Sequence, residues 1–200
     1  MSTEVIRAIQ AGDEARVRAL AGVNPTVAAE RDDAGVSALL LATYHRADGM
    51  VEALRPGKPD LDVFEAAALG DVERLRELLD ADPATANATA PDGFHPLALA
   101  AFFGRPDAVR LLLERGADVR ARGTGAVRTT ALEAAAAADE TAIARLLLDA
   151  GADPASAQPG GFTPLHAAAQ NRNRELYDLL VARGADPAAR ADDGRAAAWG

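Results

Sequence analysis

Leu146-Leu147-Leu148-Asp149-Ala150-Gly151-Ala152-Asp153 decides the fold, because the chain writes this phrase three times. A leucine run, a short gap and Gly-Ala-Asp recur at 111–118 and 179–186. The three glycines, Gly116, Gly151 and Gly184, are 35 and 33 residues apart. Ahead of them stand three related openings: His95-Pro96-Leu97-Ala98, Thr130-Ala131-Leu132-Glu133 and Thr163-Pro164-Leu165-His166. Their leucines, Leu97, Leu132 and Leu165, keep the same spacings of 35 and 33. Two motifs moving in lockstep mark a repeated structural unit, and a period near 33 residues points to stacked helix pairs.

The last complete unit shows the physics. Thr163 offers a hydroxyl to exposed helix amides, and Pro164 fits a first helical position, where its missing N–H is not needed. A short helix follows, with small residues at Ala167-Ala168-Ala169 that let neighbouring helices approach. After a turn at 171–173, Leu176, Leu179 and Leu180 fall on one face of a second helix. Gly184 ends it in a conformation that a side chain would resist. Thr130 and Glu133 have the spacing of a capping box, and Ser37-Ala38-Leu39-Leu40 is a weaker version of the same start.

These motifs resemble the ankyrin repeat, whose Thr-Pro-Leu-His opening stands whole at residues 163–166 and whose Gly-Ala-Asp close stands three times. Stretches such as Phe64-Glu65-Ala66-Ala67-Ala68-Leu69-Gly70-Asp71 look like stand-alone bacterial members. The resemblance implies an all-α solenoid of helix–turn–helix units joined by short hairpin turns. It divides the chain into an N-terminal cap at 1–33, a shortened repeat at 34–57, repeats at 58–89, 90–124, 125–157 and 158–190, and a partial C-terminal cap at 191–200. The inner helices end at Gly12, Arg46, Gly70, Gly104, Asp139 and Arg172, with gaps of 34, 24, 34, 35 and 33. The gap of 24 predicts a missing hairpin. An outer helix near Met50–Leu54 should pass through Arg55-Pro56-Gly57-Lys58-Pro59 almost directly into a helix starting near Leu61, with a change in the curvature of the stack as a further expectation. Arg46, Asp139 and Arg172 replace a turn glycine, which leaves two readings open: left-handed backbone or an altered turn. Trp199 either folds onto the last repeat or lies in a frayed tail.

Composition removes several functions. Net charge is −9, which repels phosphate backbones and makes a basic protein surface a better partner than nucleic acid. There is no cysteine, so disulfides and thiolate metal sites are excluded and a reducing cytoplasm is compatible. The apolar stretch at 97–103 is far too short to span a bilayer. Arginine supplies 20 of the 21 basic residues, leaving Lys58 as the single lysine, a bias that suggests a GC-rich genome.

Catalysis needs converging groups, and none is evident. His45, His95 and His166 fall in three different repeats, which argues against a shared metal site. The resemblance gives His166 a structural role, with its imidazole bonded to an adjacent loop. Gly123-Thr124-Gly125 follows no strand and lacks the later lysine or third glycine of a nucleotide loop. It reads as a return loop two residues longer than its neighbours. No catalytic residue, metal or cofactor is therefore expected.

Members of this family use hairpin tips and inner-helix surface as a concave binding face. The corresponding positions hold Phe94, Phe102 and Phe103 in the fourth repeat and Phe162, Gln170 and Asn171 in the sixth. They hold Val36, Tyr44 and His45 in the second and Ala68 and Leu69 in the third. Four of the five phenylalanines fall here, while Phe64 should pack between repeats. Aromatics make up only 4% of the chain, so this clustering favours a contact surface over core filling. Packing onto neighbouring fingers is the alternative. The candidate partner-binding residues are thus Tyr44, His45, Phe94, Phe102, Phe103, Phe162, Gln170 and Asn171. The expected function is a monomeric, non-enzymatic protein–protein interaction module. Two other readings stay open: an accessory subunit of one enzyme, and a small-molecule sensor using a Tyr44–Phe103–Phe162 pocket.

Overall fold

A computed structural model describes residues 3–124 and 128–199. The fold is all-α, with twelve α-helices among the described residues. They form two compact units that divide within one helix, after Ala66.

The first unit holds α1 (Glu4–Gln10), α2 (Glu14–Val23), α3 (Ala38–Tyr44), α4 (Asp48–Leu54) and the start of α5 (Val63–Leu69). α1 pairs with α2 and α3 with α4, while α1 stacks on α3 and α2 on α4. Ile6, Ile9, Val17, Leu39 and Leu54 close its core. At the expected missing hairpin, Arg55–Gly57 winds as a single 3-10 turn. It packs on a second 3-10 turn, Pro25–Ala29. Their approach is close: a Cβ on Gly57 would lie 1.9 Å from the Pro25 carbonyl oxygen. α5 starts at Val63, two residues beyond the expected Leu61, because Asp62 caps it: its Oδ1 accepts from the Phe64 and Glu65 amides, both at 3.0 Å.

The second unit continues through α6 (Val72–Ala81), α7 (Pro96–Phe102), α8 (Pro106–Glu114), α9 (Ala131–Ala137), α10 (Thr141–Asp149), α11 (Pro164–Gln170) and α12 (Arg174–Ala182). α7, α9 and α11 form an inner layer, and α6, α8, α10 and α12 an outer one. The alanine run of α9 allows the tight inner stacking: Ala134, Ala135 and Ala136 are all buried. The recurrent leucines Leu112, Leu147 and Leu180 are fully buried between the layers. Hairpin fingers close with Ala90 N–H to Phe94 O at 2.8 Å and Gln158 N–H to Phe162 O at 2.9 Å. Fingers also bond to one another, through Thr124 N–H to Gly93 O (3.0 Å) and Asp192 N–H to Gly160 O (2.9 Å). Gly125, in the lengthened loop, lies outside the described residues.

Both open conformational questions have answers. Arg46, Asp139 and Arg172 are left-handed, with φ of 51°, 66° and 56°. Asp139 gains a compensating bond, accepting from Asn173 Nδ2 at 2.7 Å, while Arg172 is exposed. Trp199 folds down on the last repeat, edge-on to Tyr177 at 5.2 Å between ring centroids, with the Arg174 guanidinium 5.4 Å from its ring.

Two substitutions test this backbone account. Arg172→Gly relieves a left-handed side chain and should raise unfolding free energy by about 0.5 kcal/mol, the relief being partly offset by greater freedom of the unfolded chain. Gly57→Ala drives a methyl group into the Pro25 carbonyl and should lower stability by about 2 kcal/mol. Urea denaturation followed by circular dichroism checks both.

Candidate partner-binding surface

The eight sequence-derived residues divide between the units. Tyr44 and His45 end α3 in the first unit, where Tyr44 is half-buried and His45 exposed. In the second unit, Phe102 and Phe103 end α7 and pack edge-to-face, with centroids 5.1 Å apart at 83°. Phe94 and Phe162 sit at the bases of two fingers, each just before an inner-helix opening. Phe162 lies 5.0 Å from the His166 ring, and the Arg195 guanidinium stands 5.6 Å from its centroid. Arg195 is itself held by Asp193, through Nε to Oδ2 at 2.6 Å. The Arg195 backbone N–H and guanidinium together hold the Asp193 carboxyl below the usual carboxylate range. Gln170 and Asn171 are exposed at the end of α11, and Asn171 Nδ2 donates to Ala136 O at 3.1 Å, bonding the end of one inner helix to the next.

Burial redraws this surface in three places. Phe94, Phe102, Phe103 and Phe162 are half-buried, so each ring is partly packed. Phe64, set apart in the sequence as a packing residue, is half-buried as well. Burial therefore does not separate it from the other four. Val36 and Ala68, placed on the face by the repeat frame, are buried at 4% and 0% exposure. The Val36 backbone closes a finger, its N–H donating to Asp32 Oδ1 and its carbonyl accepting from Asp32 N–H.

The histidines are structural in their contacts. His166 Nδ1 accepts from the Thr163 N–H at 3.2 Å and from the Thr163 hydroxyl at 2.8 Å, which leaves Nε2–H to donate to Arg195 O at 3.2 Å. The ring thus joins one repeat to the next loop, as the resemblance implies. His95 places Nδ1 3.0 Å from Ala88 O and Nε2 3.3 Å from Arg122 O.

Sequence reasoning missed two buried ionic clusters. Glu133 is 2% exposed, completes the capping box with Thr130, and is clamped by Arg122 through Nη2 to Oε1 at 2.9 Å and Nη1 to Oε2 at 3.2 Å. Arg122 Nη1 also donates to Arg128 O at 2.6 Å, pinning the far side of the lengthened loop. In the first unit, Glu65 is 1% exposed and meets Lys58 Nζ at 2.6 Å. The available signal was positional. Both glutamates occupy the fourth place of the opening, where His166 stands, and each follows a loop carrying a basic residue.

Among the described residues, no group of three or more His, Cys, Asp or Glu is placed to hold a metal. No described helix is long and apolar enough to cross a membrane. Cavities of about 180, 200 and 240 Å³ are lined by return loops, by inter-helix turns and by the first helix pair. None of these three takes in Tyr44, Phe103 or Phe162.

A family model described as ankyrin repeats (3 copies) matches residues 123–191, and a second, described as ankyrin repeat, matches 92–124; together they span half of the chain. Among similar proteins, a probable E3 ubiquitin-protein ligase, XBOS31, of Oryza sativa subsp. japonica is 38% identical over 143 residues, covering 70% of this chain and 31% of that protein. Neurogenic locus notch homolog protein 4 of Homo sapiens is 36% identical over 134 residues, covering 66% of this chain and 7% of its own length. Ankyrin repeat and SAM domain-containing protein 6 of Rattus norvegicus is 34% identical over 122 residues, or 60% of this chain and 14% of that protein. The chain thus spans a third or less of each of these relatives.

Arg122→Ala should lower the stability of the second unit by about 2–3 kcal/mol, because it strands a buried carboxylate. Arg122→Lys should recover only part of that, since one ammonium cannot bond both carboxylate oxygens and Arg128 O in the same fork. Denaturation followed by the fluorescence of Trp199, the single tryptophan, reads this unit directly.

Proposed function

Because the chain belongs to the ankyrin repeat family, we propose that it is a non-enzymatic protein–protein interaction module that presents a rigid, concave, pre-ordered surface to a partner protein. The residues assigned to contact are Tyr44 and His45 in the first unit and Phe94, Phe102, Phe103, Phe162, Gln170 and Asn171 in the second. The observation that carries this reading is the placing of four of the five phenylalanines on half-buried inner-helix ends and finger bases. A half-buried aromatic is held in one orientation by its packed side and offers the other to a partner, so little ordering entropy is lost on binding. A footprint of about 800 Å² on each side suits such a surface.

The net charge of −9 favours a basic partner and disfavours nucleic acid. The reading includes a bacterial cytoplasm, on the cysteine-free, arginine-rich composition, and a monomer, because a repeat stack is held by contacts between neighbouring units. A regulatory subunit of a specific enzyme is a special case of the same mechanism, with the enzyme as partner. A small-molecule sensor is less well supported: the three cavities described above, of about 180, 200 and 240 Å³, are not lined by Tyr44, Phe103 or Phe162 and fall below the roughly 300 Å³ at which ligand pockets begin.

Affinity capture from native lysate, compared between wild type and the Phe103→Ala and Tyr44→Ala variants, tests the proposal. An interface anchor should lose about 10-fold or more in affinity while the melting temperature changes little. Unchanged capture, or loss of capture only in step with loss of folding, would assign these rings to packing between repeats.

A further inference from the structure

Lys58 is the only lysine of the chain, and it is buried at 9% exposure. It lies just after the 3-10 turn Arg55–Gly57, in the segment that replaces a hairpin finger. Its Nζ donates to Glu65 Oε2 at 2.6 Å and to Asp60 O at 2.9 Å. Glu65 Oε1 accepts from the Ser37 hydroxyl at 2.5 Å, and Oε2 also accepts from Asp62 N–H at 2.9 Å. Ser37 caps α3, and Glu65 lies in the first turn of α5. The carboxylate therefore joins two inner-helix starts, and Lys58 supplies the cation that lets it remain buried. The far end of the segment is tied back as well, with Arg55 Nη1 donating to Lys58 O at 2.8 Å.

We propose that Lys58 is a cryptic acylation site, closed in the folded first unit, whose modification unlatches the contact between Ser37, Glu65 and the 58–62 segment. The chemistry follows from the cluster. An ammonium bonded to Glu65 has no lone pair. To react, Nζ must leave the carboxylate and give its proton to water. It then attacks the carbonyl of an activated ester or thioester, forming a C–N bond as the C–O or C–S bond breaks, and the second N–H proton leaves with the departing oxygen or sulfur. The product amide is neutral and bulkier than the amine. Reclosing would bury Glu65 with two hydrogen bonds and no cation, beside an acyl group bulkier than the ammonium it replaces, at a site only 9% exposed. Acylation therefore holds the segment open. Opening itself is a local event, since Lys58 sits in a short connector and not within a helix.

The intact protein tests this with N-hydroxysuccinimidyl acetate as the probe and peptide mass mapping as the readout. Lys58 in the folded chain should acetylate about 100-fold more slowly than in urea, as expected for a site that reacts only from a locally opened state. Lys58→Arg keeps the cation and should lose the mapped adduct, which assigns the reaction. Protein acetylated in urea and then refolded should exchange amide hydrogens faster across 37–66 than unmodified protein, with 131–149 unchanged. Acetylation of folded Lys58 at the rate seen in urea would overturn the closed site. Refolding of the acetylated chain to unmodified exchange rates across 37–66 would overturn the latch.

Discussion

Four inner helices, α5, α7, α9 and α11, begin beside a loop with a backbone carbonyl that takes its hydrogen bond from a side chain. A buried polar group next to another buried polar group must find a partner, or it destabilises both. The chain meets this constraint at the helix start, and most of the architecture depends on how it does so. His166 bonds the Thr163 amide and hydroxyl with one nitrogen and the Arg195 carbonyl with the other. Glu133 takes the same place but cannot donate, so Arg122 is brought in as the donor to the loop, bonding both Glu133 and the Arg128 carbonyl. Glu65 repeats the solution with Lys58, which reaches the Asp60 carbonyl. In the fourth repeat the ring moves three places earlier, to His95, and spans the carbonyls of Ala88 and Arg122. The residue type changes, but a polar bridge between helix start and loop is kept.

That substitution pattern explains what the sequence revealed and what it hid. The leucine period, the Thr130–Glu133 box and the glycine helix ends were legible because each depends on local spacing. Gly116, Gly151 and Gly184 all take positive φ, as their place after a leucine run requires. The ionic bridges were not legible. Arg122 precedes Glu133 by 11 residues and Lys58 precedes Glu65 by 7, and these distances are set by the path of a loop, so their closeness to whole helical turns carries no signal. The conformations of Arg46 and Arg172 stayed open between two readings for another reason. Nothing in the arginine itself signals a left-handed backbone, and only the surrounding turn imposes it.

Legibility of the candidate surface follows the same division. Positions could be assigned from the repeat frame, because the frame fixes which residues end an inner helix. Burial could not, because it depends on what the neighbouring unit brings. Ala68 and Phe102 hold equivalent places two residues before a turn glycine, yet Ala68 is fully buried and Phe102 is not. The methyl group ends below the level of adjacent side chains, including Arg105, whose Nε donates to the Ala68 carbonyl at 3.0 Å. A benzyl group at the same place rises above that level. Side-chain length therefore decides whether an equivalent position belongs to the core or to the surface.

Charge is sorted between the two layers of the second unit, and this bears on how a surface of this kind binds. The outer helices carry cross-repeat pairs such as Arg115–Asp80 at 2.6 Å, Arg183–Asp149 at 2.7 Å and Arg145–Glu175 at 3.3 Å. Such partly exposed pairs each contribute about 1 kcal/mol or less, so they add little to stability one by one. The inner-helix ends in the same unit carry Phe102-Phe103, Ala137-Ala138 and Gln170-Asn171, with no formal charge among them. For a basic partner of the kind proposed, the net charge of −9 would act at long range, raising the encounter rate, and would weaken as salt shortens the screening length. Contact with a partner at these uncharged inner-helix ends, as proposed above, would be short-range, and salt would change it little. A partner engaging both layers would be drawn in by one set of residues and retained by another. Its association rate and its dissociation rate would then depend on different parts of the same repeat.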